Sequence, residues 1–261
     1  MTWQGGKPQD LPGTEIAVVL YRLVFRQRSN GMKTNQKGFT LVEIAIVLVI
    51  IGLLLGGILK GQEMITQAKI KNIISDFSGI SAAFHGYQDR YRALPGDDLG
   101  AAARWAAAPA ATSGNGNGVV AGTYNNAGAA CAAAQEACSW WDHLRRSGFV
   151  AGAGVNQPLN AVSGIVGVQT GDNAGGPVMG GALGAGGFFG LMMCSANHPD
   201  KVAIATDTQM DDGVRLTGTV RGQLQTANNP NIEVDITAAA FGGAGSYVES
   251  GTNTYTLCRL L

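Results

Sequence analysis

Gly38-Phe39-Thr40-Leu41-Val42-Glu43, continued by an apolar run to Leu59, is the stretch whose reading decides the fold. From Phe39 to Leu59 there are 21 residues with Glu43 as the only charge. That is long enough to cross a bilayer core of about 30 Å as a helix. A cleaved export signal has a shorter apolar core and a small-residue cut site behind it, whereas here the polar residues precede the run. A carboxylate inside such a segment is costly and marks a functional position. Lys33 and Lys37 flank the run on its N-terminal side, and Lys7, Arg22, Arg26 and Arg28 lie further upstream. The excess of positive charge therefore keeps the N-terminus in the cytoplasm and sends the rest across.

This stretch resembles the class III signal of type IV prepilins and type II secretion pseudopilins. The resemblance covers about residues 33 to 59 and joins a cleavage glycine, an aromatic residue, Thr-Leu-Val-Glu and an apolar run in one register. It implies that a prepilin peptidase cuts after Gly38, that Phe39 becomes the N-methylated terminus, and that Glu43 serves assembly. It also implies a pilin-like α+β fold, in which a long N-terminal helix packs on a C-terminal antiparallel β-sheet domain. The implied partners are the peptidase, like subunits or other pilins, and an inner-membrane assembly platform. The implied location is the bacterial inner membrane, single-pass, with the C-terminal domain periplasmic before assembly into a pseudopilus or a surface pilus. Pilus and type II secretion remain alternatives, as do major and minor subunit status, and a non-assembling membrane-anchored binding protein or enzyme is the reading from another class. A structural subunit, not an enzyme, is the expectation.

The chain then divides into a leader, 1–38, a membrane and assembly helix, 39–59, an amphipathic continuation, 60–94, and an exported head, 95–261. Met32 to Gly38 would alone make a complete short leader, so Met32 is the expected translation start, with a long leader, which the resembled family also permits, as the alternative. The leader holds six Lys/Arg against two Asp/Glu, and the remainder twelve against sixteen, so a neutral total hides a basic start and a mildly acidic body. No large basic surface for nucleic acid follows. The 39 glycines are about twice the usual share and point to a loop-rich head.

Ile70, Ile73, Ile74, Phe77, Ile80, Phe84, Tyr87, Tyr91 and Leu94 recur at spacings of three and four, an amphipathic stripe that needs a sheet to cover it. No proline interrupts Phe39 to Ala93, and Pro95-Gly96 ends the pattern. Gly52, Gly56, Gly57 and Gly61 form small-xxx-small pairs that let helices approach closely. Many relatives in the resembled family carry a proline where this chain has Lys60.

Ala101 to Ala130 reads as an Ala-, Gly- and Asn-rich connector, Gln135 to Arg146 as a short helix, and 150–190 as irregular. Lys201–Thr206, Val214–Leu224, Ile232–Ile236 and Tyr247–Leu260 read as strands, with hairpin turns at Asp212-Gly213 and Asn228-Asn229-Pro230. The four cysteines all follow the apolar run, outside the cytosol, where disulfides persist. Of three pairings, Cys131–Cys138 and Cys194–Cys258 are favoured, the first as a local loop and the second tying the last strand back. A second, looser resemblance to a subset of bacterial prepilin-like proteins rests on Tyr87-x-x-x-Tyr91-x-x-Leu94-Pro95-Gly96-Asp97, Trp141-Asp142-His143-Leu144 and Asp207-Thr208-Gln209-Met210-Asp211-Asp212-Gly213.

His85, His143 and His198 share no ligand spacing; His85 is expected as a satisfied histidine beside the buried stripe and His198 in a loop. Cys194 and Ser195 near His198 lack the company of a nucleophile elbow. No cofactor is expected, with calcium as a candidate ligand in two places. Ser113-Gly114-Asn115-Gly116-Asn117-Gly118 echoes a cation loop but has no carboxylate, and Tyr124 stands where the bidentate Glu would be, so a turn is the better reading. Asp207, Asp211 and Asp212 are the better oxygen cluster. Trp140 and Trp141 are adjacent and are expected to split, one buried and the other under a glycine-rich loop or exposed as an anchor.

Overall fold

A computed structural model describes residues 39–126, 135–172, 176–181, 184–241, 243 and 245–261. Contacts divide the chain into two units, Met1–Leu55 and Gly56–Leu261. The first helix, α1 (Leu41–Tyr91), runs through that boundary. In the first unit every described residue is exposed, and the most apolar 18-residue window of α1 is 0% buried. Side chains that are apolar on every side and touch nothing suit lipid.

In the second unit α1 turns one-sided. Ile70, Ile73, Phe77, Ala83, Phe84 and Tyr87 are buried, while Ile74, Ile80, Tyr91 and Leu94 pack partly against the same core. The helix ends because Arg92 adopts φ 54° and Pro95-Gly96 follows. Three further helices, α2 (Ala101–Arg104), α3 (Glu136–Arg146) and α4 (Asp200–Met210), accompany four strands. The strands β1 (Val166–Thr170), β2 (Leu191–Pro199), β3 (Val220–Leu224) and β4 (Thr254–Leu260) form one antiparallel sheet in the order β1-β2-β4-β3.

Alternation along the strands explains the layering. Val166, Val168, Met193, Tyr255 and Leu257 face a core shared with α1, α3 and α4, whereas Met192, Cys194, Ala196 and Cys258 face Tyr124, Val178, Met179, Phe188, Ile232 and Ile236 from loops. Both faces are therefore covered, one by helices and the other by glycine-rich chain. On the loop side Arg215 is buried, and its guanidinium donates to the carbonyls of Gly222, Ile236, Phe241, Gly243 and Gly245. One cation thus gathers a segment that has little secondary structure of its own.

Several strand expectations are corrected. Lys201–Thr206 lies in α4, where Val202, Ala203, Thr206 and Asp207 are buried at helical spacing despite their β-branched neighbours. Of Val214–Leu224 only Val220–Leu224 is strand, and of Tyr247–Leu260 only Thr254–Leu260. Ile232–Ile236 is not a strand: it makes a single parallel bridge, Asp235 to Gly180, with backbone bonds to Met179 and Gly180, and the Gln223 side chain ties down its start. Asp212-Gly213 follows α4 and joins no hairpin, and Asn228-Asn229-Pro230 lies in the long β3–β4 connection. The region read as irregular contains β1, which its Gly167 disguises: a Cβ there would sit 1.9 Å from the Tyr124 carbonyl oxygen. Ala101–Arg104 likewise departs from a featureless connector.

Trp140 and Trp141 do not split. Both are fully buried in the helix-side core with ring centroids 4.8 Å apart, edge to face, because α3 is buried on nearly all sides. Cys194 and Cys258 stand opposite each other on β2 and β4 and are disulfide-bonded. The other expected pair involves Cys131, which lies outside the described residues. Joining strands 64 residues apart in sequence, the central bridge limits the unfolded chain strongly. Replacing Cys194 and Cys258 by serine should cost about 2–5 kcal/mol. Urea unfolding of the purified protein, followed by tryptophan fluorescence, checks this; an unchanged midpoint would contradict it.

Candidate processing and assembly site

The start of α1 is built by two residues three apart in the opening hexapeptide. The Thr40 backbone N–H donates to Glu43 Oε2 at 2.9 Å, and the Thr40 hydroxyl donates to the same oxygen at 3.1 Å. In return the Glu43 N–H donates to Thr40 Oγ1 at 3.2 Å. This reciprocal arrangement is a capping box, which satisfies N–H groups that a helix start otherwise leaves open. The T-x-x-E spacing was the readable signal for it, and Thr40 is the site residue that a search for cleavage and charge passes over. Both donations fall on Oε2, so among the described residues Glu43 Oε1 is free for another donor. Phe39 is 82% exposed beside it. Gly38 lies outside the described residues. Gly52, Gly56, Gly57 and Gly61 have nothing within 4 Å of a notional Cβ, which leaves four shallow places along the exposed helix.

In the head, the first two motif segments meet. Tyr87 donates its hydroxyl to Asp98 Oδ2 at 2.6 Å, and Arg104 Nη1 donates to the same oxygen at 2.6 Å. Burial opposes the Asp98 charge, but these two donors and the Gly100 N–H hold its carboxyl below the usual range. Burial and the Asp98 charge push the Tyr87 hydroxyl up. The Gly96 N–H donates to His143 Nδ1 at 2.9 Å, so Nε2 carries the proton it gives to the Thr112 carbonyl at 2.8 Å. With burial pushing its pKa down, His143 is a neutral strut between two loops.

Ser113–Gly118 is a turn, and its polarity is opposite to that of a cation loop. The N–H groups of Gly116, Asn117 and Gly118 donate to the Asp97 carboxylate at 2.5, 3.2 and 2.7 Å. Gly116 and Gly118 have φ of 72° and 84°, which lets successive N–H groups converge on an anion. Tyr124 is buried and donates to the Pro230 carbonyl.

Asp207, Asp211 and Asp212 do come together, with one carboxylate oxygen of each inside a 4.8 Å span. Asp207 accepts from the Tyr247 hydroxyl at 2.7 Å, Asp211 from the N–H groups of Thr219 and Val220, and Asp212 from the Val214 N–H and the Thr217 hydroxyl. Among the described residues two of their carboxylate oxygens are left over, against the six to eight oxygens that calcium takes. His198 stands on β2, not in a loop: its Nε2 lies 2.9 Å from Ser195 Oγ, which also accepts from Asn160. All three residues are buried, and burial drives the His198 pKa down to about 3. A substrate has no approach to that hydroxyl, so the trio pins the bulge in β2. His85 is exposed against the edge of Phe84, since one residue past a buried position turns about 100° off the stripe.

The prokaryotic N-terminal methylation motif matches residues 33–59. No curated protein and no solved structure matches the chain. The motif and the single helix among the described residues that is long and apolar enough to cross a membrane make the chain prepilin-like and membrane-anchored. Type IV pilins and pseudopilins are the two kinds of protein that this covers.

Burial and the charges of Asp212 and Asp211 raise the Asp207 carboxyl to about 6 from 3.8. Because the folded form holds the proton more tightly than the unfolded chain, this group destabilises the fold progressively as pH rises from about 4 to about 6. Asp207→Asn can still accept from Tyr247. It should stabilise the head at neutral pH by on the order of 2 kcal/mol and should leave stability unchanged near pH 3.5. Urea unfolding across that range, read as the difference between variant and parent, checks the sign.

Proposed function

We propose that the chain is a structural subunit of a type IV pilus or related filament. In this reading it is cut after Gly38 by prepilin peptidase, methylated on Phe39 and polymerised through α1. The observation that carries the reading is the Glu43 carboxylate, set in an otherwise uncharged apolar helix start with one oxygen free among the described residues. Cleavage creates an α-amino group on Phe39 with an ordinary pKa near 8. In lipid an isolated charge is expensive, so the free Oε1 and a neighbouring subunit's amine each relieve the other. They meet only at one axial offset between helices, and the pair therefore sets subunit register. Gly52, Gly56, Gly57 and Gly61 supply shallow surface for close helix approach. The subunit waits in the inner membrane with its head periplasmic, and an assembly platform extracts it.

Glu43→Gln separates the two jobs of this residue, since the amide keeps an acceptor for Thr40 and removes the charge. Sheared filament yield should fall at least about tenfold while the membrane-bound amount stays as in the parent. Equal filament yield would overturn the register role. The location of the parent filament decides between machines: subunits sheared from the cell surface support the pilus, and subunits confined to the periplasm support the type II secretion pseudopilus.

A further inference from the structure

Asn115-Gly116 and Asn117-Gly118 are exposed, and they are the two Asn-Gly pairs among the described residues. An asparagine before glycine is the least hindered setting for self-modification. The glycine nitrogen attacks the asparagine side-chain carbon, a C–N bond forms, and the side-chain nitrogen leaves with the displaced proton as ammonia. Water then opens the resulting cyclic imide at either carbonyl, giving aspartate or its β-linked isomer. The reaction needs no oxidant and no enzyme. It does need the glycine nitrogen to lose its proton.

Both nucleophilic nitrogens are engaged by one side chain. The Gly116 N–H donates to Asp97 Oδ1 at 2.5 Å, and the Gly118 N–H donates to Asp97 Oδ2 at 2.7 Å. Asp97 is only 4% exposed, so water competes poorly for its oxygens. An anion that accepts an N–H bond favours the protonated nitrogen and opposes a second negative charge beside it. The electrophiles, by contrast, are left activated. Asn115 Oδ1 accepts from the Asn117 N–H at 2.9 Å and Asn117 Oδ1 from the Val119 N–H at 2.8 Å, bonds that draw electrons from the carbons to be attacked. We propose that Asp97 is a latch that holds two primed Asn-Gly pairs against cyclisation, making 115–118 a conditional self-modification site that opens when the loop leaves the carboxylate. Conversion of one pair places a new acid, or one extra backbone methylene, beside Asp97 and loosens its hold on the other.

The test ages the full chain in detergent at mildly alkaline pH and follows both pairs by peptide mapping, with the same protein aged in urea as the unlatched reference. The folded parent should modify at least about tenfold more slowly than the urea sample at both positions. Asp97→Asn should recover most of that factor. Asp98→Asn removes an equally buried carboxylate that touches neither glycine nitrogen, and it should leave the slow rate in place. Hydrogen exchange of the parent adds a reading independent of any variant: the Gly116 and Gly118 amides should be protected although both residues are exposed. Equal rates in folded and urea samples, unprotected Gly116 and Gly118 amides, or acceleration by Asp98→Asn matching that by Asp97→Asn would each overturn the latch.

Discussion

One helix has to satisfy two environments without a break. From Leu41 to Tyr91 the backbone hydrogen bonds run on, so the change from lipid to protein core must be written entirely in side chains. The first part does so by being apolar on every face, and the second by confining Ile70, Ile73, Phe77, Phe84 and Tyr87 to one stripe. Once that stripe exists it dictates the head, because it is stable only under a sheet that offers Val166, Val168, Met193, Tyr255 and Leu257 in return. The same uninterrupted geometry needs a firm start, which Thr40 and Glu43 supply reciprocally.

The glycine-rich loops of the head have few side chains to offer, and their polar backbone must still be satisfied. Buried charged side chains take over the role that strand ladders play elsewhere. Asp97 collects the N–H groups of 116–118, Glu136 those of Asn115 and Ala121, and Arg215 the carbonyls around 236–245. Each arrangement makes a glycine-rich loop specific without making it regular. It also means that losing a single charge in the head releases several backbone groups at once.

Long periodic segments were legible in the sequence because their signal repeats: α1, its stripe and its stop at Pro95-Gly96 follow from spacing alone, and α3 nearly so. The strands were read poorly for a physical reason. Lys201–Thr206 is rich in β-branched residues yet lies in α4, where burial at helical spacing outweighs propensity, while β1 hides a glycine that close backbone approach requires. At the candidate site, charge and cleavage pattern pointed to Phe39 and Glu43, but the partnership with Thr40 is a three-dimensional bond that spacing only permits. The 113–118 loop shows the same limit. Its glycines mark a turn, and its N–H groups, which no sequence displays, face Asp97.

The central claim is that the opening hexapeptide is a cut site leading a filament helix, and the mass of the protein's terminal peptide tests it most directly. Protein isolated from cells that contain the peptidase should begin at Phe39, carrying one methyl group on its amine, with residues 1–38 gone. A chain that retains Gly38, or a Phe39 terminus left unmethylated, would contradict the account and leave α1 a plain anchor.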